Sequence, residues 1–326
     1  RARIAALFTV FDFLYDDMTT GERDTLASEI LQQQARMTKS PTEMMDGHSG
    51  SDQTMRIMAM LTLHGYSTYA ASALSNLNDA MTWWYGANPN EGRIEMLRYQ
   101  YTNGGADKGG WYVFQALWGE LLLMQALTKG TDYNAWSAES VHISKLWEWL
   151  IWISFRGGFD DDFEAQGDTA KSDAPKMHYL MRWAFGLLAT NYPTPNSTEG
   201  GKHLRWLYDQ WDAQQSDFAD DKAFDVIFLD RAGVAPIEPQ NAASVPSTAR
   251  LFDPPGTFYF RRAERTSGNN HWNYDQSMVA RVNGRRRYRQ GHPHLDAGSL
   301  QLRWKDDILL QSPAGYYDDF STSHHV

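Results

Sequence analysis

A helical domain followed by a β-rich one is the fold class this chain predicts, and three observations predict it. From residue 1 to about 216, segment after segment carries apolar residues at helical spacing. A turn-rich stretch follows, Pro236-Ile-Glu-Pro239-Gln-Asn-Ala-Ala-Ser-Val-Pro246, with three prolines in eleven residues. Beyond about residue 256 the apolar period becomes two. The expected division is a helical domain over 1–235, a linker over 236–255 and the start of a β domain over 256–326. A chain of 326 residues is long enough to bury two cores.

In chain order, helices are expected at 4–16, 22–36, 52–64, 70–85, 111–128, 138–155, 176–190 and 201–215. The second follows the turn Thr19-Thr20-Gly21 and spaces Leu26, Ile30 and Leu31 on one face. The sixth has Ser137 as its expected cap and repeats Leu146, Leu150 and Ile153. No fixed sequence repeat is present, which argues against a regular solenoid. Pairs of antiparallel helices curling into a barrel or toroid fit better. Strands are expected at 256–260, 277–282, 299–304 and 307–310. Leu300, Leu302 and Trp304 alternate with Ser299, Gln301 and Arg303, the pattern of a half-buried antiparallel strand.

Composition removes several classes. Aromatics make up 13% of residues, far too many for a disordered chain. The longest apolar run, Leu117 to Leu127, is broken by Glu120 and Gln125 and falls short of the roughly 18 residues a span needs. It reads as a buried helix, so no membrane partner is expected. A net charge of −10 makes a poor general nucleic-acid binder, and any anionic ligand must be gripped by a local basic site. The absence of cysteine excludes disulfides, a thiolate nucleophile and sulfur-ligated zinc. The chain opens at Arg1 with no start Met and is expected to be part of a longer polypeptide, its β domain incomplete at Val326.

Three clusters carry candidate chemistry. Arg285-Arg-Arg287-Tyr-Arg289-Gln-Gly-His292-Pro-His294-Leu-Asp296-Ala-Gly-Ser299 packs four arginines ahead of a His-x-His-x-Asp run. On a strand, His292 and His294 point the same way, about 7 Å apart, which suits a shared anion or metal. An exposed edge strand with solvated arginines fits those residues as well. Met45-Asp-Gly-His48-Ser-Gly-Ser-Asp-Gln53 opens the third helix, where positive backbone dipoles favour an anion beside His48. An ordinary capped surface turn is the alternative there. Asp107-Lys-Gly-Gly110-Trp111-Tyr112 opens the helix at 111–128.

Together with Gly256-Thr-Phe-Tyr-Phe-Arg261, the strand 277–282, Gly315-Tyr316-Tyr317 and Ser323-His324, this order resembles the heparinase II/III-like polysaccharide lyases over roughly residues 256–326. The helical half resembles them more loosely, through the His48 and Asp107–Tyr112 motifs. The resemblance implies an incomplete (α/α) toroid followed by an antiparallel β-sandwich, a uronic-acid polysaccharide as substrate, and a secreted or periplasmic bacterial protein. It implies His48 and His292 as groups that neutralise the substrate carboxylate. It implies Tyr112 as the proton-transfer group, with Tyr316 or Tyr317 contributed by the β half. Tyr317 is assigned to catalysis; Gln53, Trp111, Arg287 and Tyr316 are assigned to substrate binding. Leu117 and Trp118 stand where the family usually has a later Tyr, and Gln311-Ser312 where its metal-binding members have an Asp. His294 alone matches the metal-ligand set, so the cofactor expectation is none required, or a zinc ion through His294.

The implied reaction is β-elimination. A base takes the C5 proton and the bond to the C4 oxygen breaks, which requires the neighbouring carboxylate to be neutralised. Two other classes compete. A glycoside hydrolase on a helical toroid would draw its two carboxylates from Asp160-Asp161-Asp162-Phe-Glu164 or Asp318-Asp319. A non-catalytic glycan-binding relative would keep the fold and lack the chemistry.

Overall fold

The computed structural model describes residues 2–37, 47–86, 92–101, 103–104, 110–154, 184–214, 233–243, 245–253, 256–263, 272, 277–283, 300–304 and 307–310. Helices precede an antiparallel sheet. In order these are α1 (Ala2–Phe13), α2 (Thr20–Ala35), α3 (Gly47–Leu63), α4 (Ala70–Tyr85), α5 (Arg93–Gln100), α6 (Gly110–Gly130), α7 (Ala135–Ala138), α8 (Ser140–Ile143) and α9 (Leu146–Ile153). A helix described over 184–191, α10, and α11 (Gly200–Gln214) follow. The strands are β1 (Ala249–Phe252), β2 (Thr257–Ala263), β3 (Ser277–Asn283), β4 (Leu300–Trp304) and β5 (Asp307–Leu310). The chain forms two compact units, Arg1–Leu97 with Gln115–Ala135, and Arg98–Phe114 with Trp136–Val326.

The first unit is helical. Ile4, Phe8 and Phe11 recur at three- and four-residue spacing on α1 and meet Ala27 and Ile30 of α2 and Met55, Ala59, Met60 and Leu63 of α3. Each such side chain, fully buried, contributes about 1.5–3 kcal/mol. Local chemistry fixes the start of α2. Thr19 Oγ1 accepts from the Glu22 N–H, and Glu22 Oε2 accepts from the Thr19 N–H at 2.8 Å, a reciprocal capping box. At the far end of α4, Gly86 adopts φ 81°, a left-handed conformation open to glycine, and its N–H closes on Thr82 O. The run Leu117 to Leu127 lies within α6, and Leu117, Leu121–Met124 and Leu127 are buried, as the sequence predicts, with Glu120 buried among them. Among the described residues no helix is long and apolar enough to cross a membrane.

The second unit holds the later helices together with the sheet. The single helix expected at 138–155 is instead three pieces, α7, α8 and α9. The first break falls at Glu139, whose φ −100° and ψ 8° leave helical geometry, and the second at Ser144-Lys145. The Glu139 carboxylate is nearly inaccessible and takes two bonds from Arg98, Nε to Oε2 at 2.8 Å and Nη2 to Oε1 at 2.7 Å. A bidentate pair of this kind is among the stronger contacts a chain can make, and local helix propensity yields to it. Ser137 lies inside α7, not at the start of a helix. The next helix, α9, is apolar except for Glu148, with Leu146, Trp147 and the run Trp149–Ile153 all buried. It packs on α11, where a Cβ at Gly200 would lie 2.3 Å from the Trp147 ring.

The five strands pair antiparallel in the order β1-β2-β3-β4-β5, a meander. β1 lies inside the segment expected as linker. Along β4 Gln301 is buried, whereas Leu300 is exposed and Leu302 and Trp304 are half-buried. Register aligns Tyr259, Arg281 and Gln301 across β2, β3 and β4, and all three are buried along with Thr257 and Arg261. Leu300, at 42% exposure, and Phe258, Phe260 and Val282 face outward. Aromatic packing explains how the inward face tolerates charge. Trp152 of α9 meets Tyr259 at 5.6 Å and Trp272 at 4.9 Å between ring centroids. The Arg261 guanidinium lies 4.5 Å from the Trp272 centroid and 5.6 Å from that of Trp152. Indole faces attract a desolvated cation, so Arg261 is held by ring quadrupoles where water would otherwise solvate it.

Candidate functional site

Helix starts position two of the sequence motifs. α3 begins at Gly47, five residues earlier than expected, so His48 is part of its first turn. No acidic residue occupies that turn. The first N–H groups of a helix have no partner within it and carry a positive partial charge, which an early carboxylate would otherwise offset. α6 begins at Gly110, which places Trp111 and Tyr112 in its first turn. His48 and Gln53 belong to the first unit, Trp111 and Tyr112 to the second. The side chains of His48, Trp111 and Tyr112 lie outside what is described, as do Arg287, His292, His294, Tyr316 and Tyr317. The acidic runs Asp160–Glu164 and Asp318-Asp319 also lie outside the described residues.

Gln53 is the candidate whose surroundings are defined. Its side chain is buried, and its Oε1 accepts from Arg56 Nη1 at 2.7 Å. Arg56 Nε donates in turn to Gln34 Oε1, in the last turns of α2, at 3.3 Å. Gln34, Gln53 and Arg56 are 3%, 2% and 3% exposed. Among the described residues Arg56 makes no ion pair, and its Nη2 has no hydrogen-bond acceptor. Burial pushes its guanidinium below the ordinary arginine value, opposed by the charge of Asp79. The sequence signal for this residue was a lone cation inside the apolar run Met55-Arg-Ile-Met-Ala-Met-Leu61. Sequence reasoning passed over it.

A second buried charge sits nearby in the same unit. Arg93 Nε donates to Glu120 Oε1 at 2.5 Å, both side chains being almost inaccessible. One residue before, Gly119 brings α6 against α3 closely, since a Cβ there would lie 2.6 Å from Thr54 Oγ1. Removing one partner of such a pair leaves an uncompensated charge, whereas the pair itself contributes little net stability. In the second unit, Tyr192 donates its hydroxyl proton to Trp136 O at 2.6 Å, and burial pushes its phenol well above the usual tyrosine range, with Glu139 adding to the rise. A phenol so held is a poor proton-transfer group.

Two described hollows lie away from Gln53. One, of about 380 Å³, lies among Ser140, Ser144, Asn191, Tyr192 and Asn196; the other lies along Met18–Leu26. Among the described residues no group of three His, Asp or Glu side chains is placed to hold a metal ion. Compared with models of known protein families and with curated proteins, the chain matches none.

Proposed function

We propose that the protein is a polysaccharide lyase that cleaves a uronic-acid-containing polysaccharide by β-elimination. The observation that carries this reading is the start of α3, where His48 occupies the first turn of a seventeen-residue helix that has no early acid. The helix dipole and an imidazole together suit a carboxylate. The H-x-H-x-D-x-G-S block before β4 and the arginines that precede it supply the same chemistry from the other half of the sequence. Helices followed by an antiparallel meander agree with the toroid-then-sandwich architecture that the resemblance implies. The outward apolar face of the sheet, Phe258, Phe260, Val282 and Leu300, is what the inner face of one sandwich sheet looks like.

In this mechanism His48, His292 and Arg287 hold the substrate carboxylate and withdraw its charge, so that the C5 proton becomes acidic. Tyr112, its pKa lowered by nearby cations, takes that proton as the phenolate, and the C4 oxygen leaves as the C4–C5 double bond forms. Tyr317 is the second phenol, and it protonates the departing oxygen. Gln53, Trp111 and Tyr316 bind the flanking sugars. No metal enters these steps. Of the metal-ligand set that the resemblance implies, His294 is the residue the sequence matches. Secretion to the periplasm or beyond is part of the same proposal.

The test is direct. The protein is incubated with a panel of uronate polymers and followed at the near-ultraviolet absorbance of the unsaturated product. Tyr112→Phe and His292→Ala proteins are expected to keep the fold by circular dichroism and lose activity by roughly two to four orders of magnitude. Reducing ends without that absorbance would identify a hydrolase, and binding without product a glycan-binding protein. Wild-type turnover by both variants would sink the assignment.

A further inference from the structure

A guanidinium buried without a carboxylate partner is unusual, because desolvating the charge costs several kcal/mol and neutral amides return only part of it. Arg56 is such a group. Two of its nitrogens are occupied, Nη1 by Gln53 Oε1 and Nε by Gln34 Oε1. Both acceptors are neutral, so they satisfy donors and leave the charge. The remaining nitrogen, Nη2, is inaccessible and has no acceptor. The fork geometry of arginine presents Nη2 beside Nη1 or Nε, in the arrangement that grips one carboxylate with two parallel bonds. The residue stands on α3, the helix that carries His48 in its first turn, and its head reaches back to Gln53, toward that turn.

We propose that Arg56 is an anion-binding residue, and that the group it receives is the carboxylate of a uronate sugar, bonded through Nη2. The inference rests on the lyase reading for the identity of the sugar; the site itself rests on the unmatched donor and on a charge that no described ion pair meets. A purely structural role fits less well. An arginine kept only to join α2 to α3 would gain more from a carboxylate at position 34 or 53 than from two glutamines. Glutamine at both positions holds the guanidinium in place and leaves its charge available.

The test uses thermal unfolding of the whole chain in sodium D-glucuronate, against D-glucose of equal concentration with ionic strength matched by sodium chloride. The wild-type midpoint is expected to rise with glucuronate and not with glucose. Arg56→Met removes the charge and keeps much of the volume. It is expected to unfold near or above the wild-type midpoint without ligand, and to bind glucuronate roughly ten- to a hundredfold more weakly. Gln53→Glu supplies a permanent carboxylate to the same guanidinium. It is expected to raise the midpoint without ligand and abolish the response, and it decides the matter if Arg56→Met does not fold.

An undiminished glucuronate response in Arg56→Met overturns the proposal. So does a wild-type chain indifferent to glucuronate, or a Gln53→Glu chain that is less stable and still responds. The lyase assay reads separately. Unsaturated product from the wild type, with a response independent of Arg56, leaves the lyase reading standing and removes this site. An Arg56-dependent response with no product from any uronate polymer keeps the site and removes the lyase reading.

Discussion

Replacing Trp152 with alanine tests whether the sheet folds together with the helices beside it. Trp152 is fully buried in α9 and touches Tyr259 of β2, Trp272 and the Arg261 guanidinium, all within the second unit. A buried tryptophan removes roughly 150–250 Å² from water, worth about 4–6 kcal/mol at 25 cal/mol per Å². That figure is an upper bound, since the unfolded chain already buries part of the ring. Truncation of such a ring in a packed core costs about 3–5 kcal/mol. At about 1.4 kcal/mol per decade, a cost of 4 kcal/mol speeds exchange through opening of the unit by about a thousandfold. The assay is amide hydrogen exchange read by mass spectrometry on peptides covering β2, β3 and α9. Loss of protection is expected in all three peptides together. If α9 loses protection while β2 and β3 exchange at the wild-type rate, the sheet is independent of α9, as a boundary over 236–255 would have it, and the packing argument fails.

Two pH effects follow from buried ionisable groups. His203 is pushed below the ordinary histidine value, first by burial, with its bond to Ile237 O at 2.8 Å opposing. Below about pH 6.5 the unfolded chain therefore binds a proton that the folded chain refuses, and stability falls as the pH drops through that value. His203→Gln is expected to flatten the difference between urea midpoints at about pH 7.5 and about pH 5.5; an unchanged difference would refute the assignment. Glu148 moves the other way, pushed up by burial while Arg250, 3.1 Å away, pulls it down. Its folded form holds the proton more tightly, so its contribution is present at acid pH and is lost as the pH rises above about 4.3. Glu148→Gln is expected to raise the thermal midpoint at neutral pH by more than at about pH 4, and an equal change at both would count against it.

Much of the secondary structure was legible because period and punctuation are local. α4 and β5 fall where the pattern of apolar residues puts them, at 70–85 and 307–310. α2 follows the turn at Thr19, whose hydroxyl caps it. The misses are equally physical. α5 was overlooked because Arg93-Ile-Glu-Met-Leu-Arg-Tyr-Gln100 is short and mostly polar, and its place depends on burying Ile94, Leu97 and Arg93 against other elements. β1 has four residues behind a proline-rich stretch, and its ladder with β2 defines it. The helix expected at 138–155 has its first break where Glu139 pairs with Arg98, a partner 41 residues away.

For the candidate site, the sequence alone could name residue types suited to a carboxylate and place His48, Trp111 and Tyr112 at helix starts. A helix end is read from nearby glycines and serines, so those placements needed no tertiary contact. Burial was a different matter. Nothing local distinguishes a solvated arginine from Arg56, whose isolation follows from α2 laying Gln34 over it. Nor does alternation along a strand say which face turns inward. That was decided by Trp152 and Trp272, which make a buried arginine tolerable and leave Leu300 outside. Periodicity is a property of one segment, whereas desolvation depends on what a second segment brings against it.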